Sequence, residues 1–307
     1  MIRAPLPERL SAVSRALELG INYFDTAAAY GNGQSEENLG QVLKALKPNL
    51  ILATKFGVNQ EDLKDILGAV RRSLYLSLKR LGRDSVDIFQ LHTPVFLEND
   101  ESSRGIALNH VLGSGGVADA LDRLRSEGLI RFEGFTGLGD TAALHKVIQS
   151  RRFDLCQAYL NLLNPSAAVD VPADFTGQNF SGLIKSASRN GMGVAAIRVL
   201  AGGALGGEIS RVGYAAPNVG GALAGGSEYE TDRSRAGKLD FLLKGHLGNL
   251  SQPGIRFVLG RPEVSVTLVG FSSLAQIEEA VSCSALGPLP ESDIRQMGKL
   301  WAANFGS

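Results

Sequence analysis

The 307-residue chain has only two cysteines, Cys156 and Cys283, too few for a disulfide framework. That scarcity fits a reducing compartment, with both thiols read as buried rather than nucleophilic. It has no excess of either charge: 31 Lys and Arg face 31 Asp and Glu. A neutral balance argues against a nucleic-acid binder, which needs a basic surface. It also argues against a polybasic membrane anchor. No apolar run approaches the roughly 18 residues a spanning helix needs. The first residues, MIRAPLPERLSAV, contain no apolar core of a signal peptide. The expectation is a cytoplasmic protein that acts on small molecules, with its oligomeric state left open. Metal-ligand spacings, a Walker loop and a G-x-S-x-G elbow are all missing from the sequence.

What the chain does have is a rhythm. Apolar content is 44 % against 20 % charged residues, so a packed fold is expected rather than disorder. Short apolar runs alternate with stretches of helical period. The runs are 21–25, 50–54, 86–91, 130–136, 153–160, 194–200 and 265–270. The helical stretches are 9–19, 35–46, 61–81, 116–128, 140–148, 181–191, 253–260, 274–281 and 291–302. Ser35 and Asp140 read as helix caps, Gly20 as a stop, and Pro253 as a helix start. Strands that are apolar throughout are buried on both faces, as in a parallel sheet. Seven such units in one chain favour a closed (β/α)8 TIM barrel over an open sheet. The chain is therefore read as a single domain, 1–307. A helix stands first with no strand before it, so the barrel's first strand is expected to be missing. Residues 201–226 break the rhythm with nine glycines and read as a long loop.

In barrels of this kind catalytic groups gather at the C-terminal ends of strands. The polar residues there are Asp25 with Tyr30 just after it, Lys55, and His92. Together they make a coherent set. A lysine ammonium beside a phenol favours the phenolate, and an aspartate keeps the lysine charged and oriented. A phenol so placed can pass a proton to or from a carbonyl oxygen, and a histidine can hydrogen-bond that oxygen. His110, His145 and His246 lie in loop or helix contexts and read as structural or solvent-facing. GNGQSE (31–36) is a near miss to a dinucleotide-binding G-x-G-x-x-G, with Glu36 in place of the third glycine, and the Rossmann reading is set aside.

The segments FDTAAAYGNGQSEENLG (24–40), ILATKFG (51–57) and IFQLHTP (88–94) resemble the aldo-keto reductase superfamily. The likeness runs from about residue 9 to about residue 285. It implies a barrel oxidoreductase using NADP(H) or NAD(H), with Asp25, Tyr30, Lys55 and His92 as the catalytic tetrad. It further implies an aldehyde, ketone or aldose substrate and an alcohol or lactone product. Cofactor contacts transfer as Thr136 and Gly137, where relatives usually place Ser-Asn, and Gln157 on the same nicotinamide amide. Arg198 falls near the pyrophosphate. Gly270, Phe271, Ser272, Ser273, Gln276 and Glu279 resemble the adenosine-phosphate loop. Basic residues that grip a 2′-phosphate are missing at 270 and 276, which leaves NADH use open. Ile197 stands where many relatives place an aromatic ring. With Thr136-Gly137 and the missing first strand, it motivates the alternative of a catalytically weak or inactive barrel that binds nicotinamide or a partner. Specificity is assigned to the loops 93–115, 160–180 and 201–232. Their polar composition suggests a sugar.

Overall fold

The computed structural model describes residues 2–98, 105–206, 229–243 and 249–306. The chain forms two compact units, residues 1–157 with 189–193, and residues 158–188 with 194–307.

In the first unit α1 (Leu6–Glu18) precedes β1 (Tyr23–Asp25), and among the described residues no strand comes before it. Then follow α2 (Gln34–Leu46), β2 (Ile51–Phe56), α3 (Ile66–Leu81) and β3 (Val86–Leu91). Two short strands, β4 (Val95–Phe96) and β5 (Ile106–Ala107), pair with each other. They are followed by α4 (Leu108–Leu112), α5 (Val117–Ser126), β6 (Ile130–Thr136), α6 (Thr141–Gln149) and β7 (Leu155–Tyr159), whose first three residues belong here. The strands run parallel, with Asp25 opposite Ala53, Lys55 opposite Gln90, Gln90 opposite Gly134 and Thr136 opposite Gln157. Parallel neighbours separated by helices are what the apolar runs predict.

The second unit contains α7 (Leu183–Arg189) except its last residue, β8 (Gly193–Ile197) except its first, α8 (Tyr229–Ala236), α9 (Ser251–Leu259), β9 (Val266–Thr267), α10 (Leu274–Ala285) and α11 (Glu291–Ala302). Ala195 and Ala196 of β8 pair in parallel with Val266 and Thr267 of β9. Trp301 of α11 donates from Nε1 to the Leu162 carbonyl at 2.8 Å, so the last helix is tied to the loop after β7.

All seven expected strands are present. Several local expectations are corrected. The helix expected over 61–81 is broken: a 3-10 turn covers Asp62–Lys64, and α3 begins at Ile66. The break occurs because the Asp65 carboxylate accepts from Gly68 N at 2.9 Å and caps a new helix. Leu67 consequently lies exposed, while Val70, Leu74 and Leu78 fill the buried face. Each fully buried leucine contributes about 1.5–3 kcal/mol over an exposed one. Ser35 is not a cap. Gly33, at φ 91°, precedes the first helical residue Gln34, and the Ser35 hydroxyl accepts from Thr26 Oγ1 at 2.9 Å. Asp140 precedes α6, yet its carboxylate accepts from Leu97 N at 3.1 Å instead of capping. Pro253 is the third residue of α9, not its first. The loop expected over 93–115 carries β4, β5 and α4. Of the glycine-rich stretch, 207–226 lie outside the described residues, as does His246. Both cysteines are buried, as expected.

Candidate active site

Lys55 is the centre of the site. It ends an apolar strand, and its neighbours Ala53, Thr54 and Phe56 are buried with it. Its side chain is itself almost fully buried, at 1 % exposure. A buried ammonium must place its three N–H groups. One goes to Asp25 Oδ2, one to the Thr26 carbonyl at 2.8 Å, and one to the Tyr30 hydroxyl at 3.3 Å. Nζ also lies 4.8 Å from the centre of the Tyr30 ring. Tyr30 is 38 % exposed even though its hydroxyl accepts from the buried Lys55. His92 meets Tyr30 edge-on, with ring centres 5.9 Å apart and planes at 84°. Burial first, and the Lys55 charge second, push the His92 imidazolium down to about 4. His92 is therefore neutral at ordinary pH, with one ring nitrogen to donate and one to accept.

The loop between β1 and α2 delivers Tyr30. Tyr30 N donates to the Ala27 carbonyl at 3.1 Å, and Ser35 N to the Tyr30 carbonyl at 3.1 Å. The Thr26 to Ser35 hydroxyl bond closes the loop. Glu36 secures its far end. Its buried carboxylate accepts from Thr54 Oγ1 at 2.5 Å and from Arg80 Nε at 2.6 Å. This anchors α2 to β2 and α3. Glu36 lies in the segment that carries the family resemblance, but its role as an anchor is not marked there.

The second oxygen of Asp25 is also taken. Oδ1 accepts from Gln157 Nε2 at 2.7 Å and from Gln90 Nε2 at 3.2 Å. Gln157 thus stands with the tetrad. Gln90 was missed, although a lone amide in the apolar run VDIFQL was the signal for it. Thr136 lies opposite Gln157, and the Gly137 N–H donates to the Gln157 carbonyl at 2.7 Å. Thr136 Oγ1 is buried with no hydrogen-bond partner among the described residues. A buried hydroxyl without a partner fits a polar ligand group such as an amide.

Arg198, Gly270, Phe271, Ser272, Ser273, Gln276 and Glu279 belong to the second unit. Arg198 is exposed and has a left-handed backbone, φ 57°. Its carbonyl accepts from Asn161 Nδ2 at 2.9 Å. Ser273 caps α10, accepting from Gln276 N at 3.3 Å. The Gln276 amide oxygen reaches back to Ser272 N at 2.7 Å and Ser272 Oγ at 3.0 Å. These polar groups build the helix start, with Phe271 half-buried and Gly270 exposed beside them. A helix start of this kind presents backbone N–H groups and the positive dipole end to an anion. Glu279 Oε1 is buried with no partner among the described residues. Among the described residues no cluster of His, Cys, Asp or Glu is suited to hold a metal.

Parallel strands alternating with helices, and polar groups at their C-terminal ends, define an α/β protein of the (β/α)8 barrel class. The sequence model of the Aldo/keto reductase family matches residues 3–302, and the chain belongs to that family. It is 30 % identical over 283 residues to an L-galactose dehydrogenase of Arabidopsis thaliana, covering 90 % of this chain and 77 % of that protein. It is 27 % identical over 212 residues to a D-threo-aldose 1-dehydrogenase of a Pseudomonas species, covering 60 % of each. Among solved structures, an aldo-keto reductase from Bacillus halodurans in its holo form has the same fold. It superposes with a TM-score of 0.70 at 21 % identity, over 98 % of this chain and 90 % of that one. An aldo/keto reductase from Klebsiella pneumoniae in complex with NADP and acetate gives 0.67 at 18 % identity, over 98 % and 88 %.

Proposed function

We infer that the chain is a nicotinamide-dependent oxidoreductase that interconverts a carbonyl compound, or an aldose, with the alcohol or lactone. The carrying observation is the Lys55 ammonium, which donates both to Asp25 and to the hydroxyl of the half-exposed Tyr30. NAD(P)(H), when bound, supplies the acceptor or donor of the hydride. Thr136, Gly137 and Gln157 are the groups that would hold its amide. Arg198 and the start of α10 (Gly270, Phe271, Ser272, Ser273, Gln276), with Glu279, would hold its phosphates and adenosine.

The chain's own part is proton chemistry. Tyr30 gives the proton to a carbonyl oxygen in reduction and takes it from a hydroxyl in oxidation. Lys55 stays within hydrogen-bond reach of the phenol oxygen and stabilises negative charge as the proton leaves. Asp25 balances the Lys55 charge and fixes its direction. Neutral His92 hydrogen-bonds the substrate oxygen and orients it. The two sugar-oxidising relatives and the polar loops favour an aldose oxidised at C1. The test is nicotinamide fluorescence on titration with NADPH and NADH, followed by turnover of L-galactose and other aldoses with NAD+ and NADP+. Saturable, blue-shifted emission and aldose-dependent reduction of the nicotinamide are expected. A folded chain that binds neither nicotinamide would overturn the reading.

A further inference from the structure

Gln90 has no place among the tetrad or the residues assigned to the cofactor, yet it touches the tetrad's carboxylate. It is fully buried, at 0 % exposure. Its Nε2 donates to Asp25 Oδ1 at 3.2 Å, and its Oε1 is buried with no hydrogen-bond partner among the described residues. Only an N–H can face a carboxylate, so the orientation of this amide follows from chemistry. A buried amide satisfied at one end only is a net cost to folding. An apolar side chain of the same size would serve packing better. What the amide contributes therefore lies in the bond to Asp25.

That bond sits in a definite arrangement. Asp25 Oδ1 takes two amide donors, Gln90 from β3 and Gln157 from β7. Asp25 Oδ2 is thereby left to Lys55. Gln90 stands in register with Lys55 on one side and with Gly134 on the other. The space for it depends on Gly134, where an added Cβ would lie 2.6 Å from Gln90 Cγ. The titratable groups recorded against Asp25 are Lys55 on β2 and Tyr23 on β1, and Lys55 in turn faces Tyr30 after β1 and His92 after β3.

We propose that Gln90 is a positioning residue: with Gln157 it locks the Asp25 carboxylate, so that Lys55 stays aimed at the Tyr30 hydroxyl. The inference rests on the reading of Tyr30 as the proton carrier. Gln90→Met keeps the volume and removes the donor. Gln90→Glu sets a second carboxylate against Asp25. Both are compared with Tyr30→Phe and the parent, using NADPH and a nitrobenzaldehyde.

Gln90→Met is expected to fold and bind NADPH as the parent does. Its kcat falls about tenfold with KM unchanged, because only proton transfer is impaired. The solvent deuterium isotope effect on kcat rises, since proton transfer becomes more rate-limiting. Gln90→Glu loses more. Gly134→Ala, which keeps the amide but displaces it, gives the same signature and serves if Gln90→Met does not fold. In the ligand-free chain, Gln90→Met and Asp25→Asn shift the denaturant midpoint non-additively. Parental kcat in Gln90→Met overturns the proposal. So does a lowered kcat with an unchanged isotope effect, or strict additivity in the ligand-free chain. If Tyr30→Phe turns over like the parent, the underlying reading falls and this inference falls with it. If Tyr30→Phe is inactive and Gln90→Met is normal, only this inference falls.

Discussion

Five side chains, Asp25, Tyr30, Lys55, Gln90 and Gln157, share one small set of hydrogen bonds, and Lys55 has no spare donor. Each N–H of its ammonium has an acceptor: Asp25, the Thr26 carbonyl and Tyr30. Lys55→Met should therefore strand a partly buried carboxylate as well as remove a donor from Tyr30. Turnover should fall about 100-fold or more, and the melting temperature should drop too, read by steady-state kinetics and thermal denaturation. His92 gives a pH prediction whose sign is fixed by its environment. In the folded chain its imidazolium forms only near 4, against an ordinary 6.5. The unfolded chain thus takes up this proton first. Its contribution is a loss of stability, up to about 3 kcal/mol, as pH falls from about 6.5 to about 4. His92→Asn should flatten the fall of melting temperature over that window. An unchanged slope would show that His92 is not held neutral by its surroundings.

At the scale of elements, two close approaches decide how the site is held. Gly40 of α2 faces the backbone of α3: an added Cβ would lie 2.4 Å from the Arg80 carbonyl oxygen. Backbone cannot move aside as a side-chain tip can. Gly40→Ala should cost about 1–3 kcal/mol, measured as a lowered denaturant midpoint. On β6, Glu133 is fully buried, and the carboxyl of Asp122 lies beside it. Arg125 Nε lies 3.2 Å from it as an ion pair. Burial outweighs that attraction and raises the carboxyl to about 7 from 4.5. A carboxyl raised in this way contributes stability below about pH 4.5 and loses it as pH rises through about 7. Glu133→Gln should raise the melting temperature at pH 8 and leave it nearly unchanged at pH 4. A variant no more stable than the parent at pH 8 would contradict this account.

Elements also show which features were legible in the chain. The seven strands could be read because buried parallel strands are apolar runs, and Asp25, Lys55 and His92 stood out as polar groups at their ends. The start of α3 was misplaced because Asp65 captures Gly68 N, a local bond that periodicity does not register. Glu36 and Gln90 were not recognised because their partners, Arg80 and Asp25, lie 44 and 65 positions away. Gln157 was assigned to a nicotinamide amide, and the structure adds its bond to Asp25.

At the scale of the whole molecule, the family match over residues 3–302 supports nicotinamide-dependent carbonyl reduction. The described residues contain no helix long and apolar enough to cross a membrane. The proposed nicotinamide contacts are Thr136, Gly137 and Gln157, and the proposed phosphate and adenosine contacts are Arg198 and residues 270–279. Variants can therefore separate them. Changes at Thr136 should weaken substrate turnover as well as nicotinamide binding, whereas Arg198→Ala should weaken binding of both NADPH and NADH with little change in kcat. Fluorescence titration and saturation kinetics distinguish these outcomes. A kcat loss in Arg198→Ala at saturating nicotinamide would contradict the division.

The most direct measurement is kcat and nicotinamide affinity for Tyr30→Phe beside the parent. The phenylalanine keeps the ring and removes the one hydroxyl that Lys55 holds at 3.3 Å. The account predicts a kcat lower by about 100- to 10,000-fold with the NADPH dissociation constant within about twofold of the parent. Turnover equal to the parent's would show that another group carries the proton, and the assignment of Tyr30, Lys55, Asp25 and His92 would be wrong.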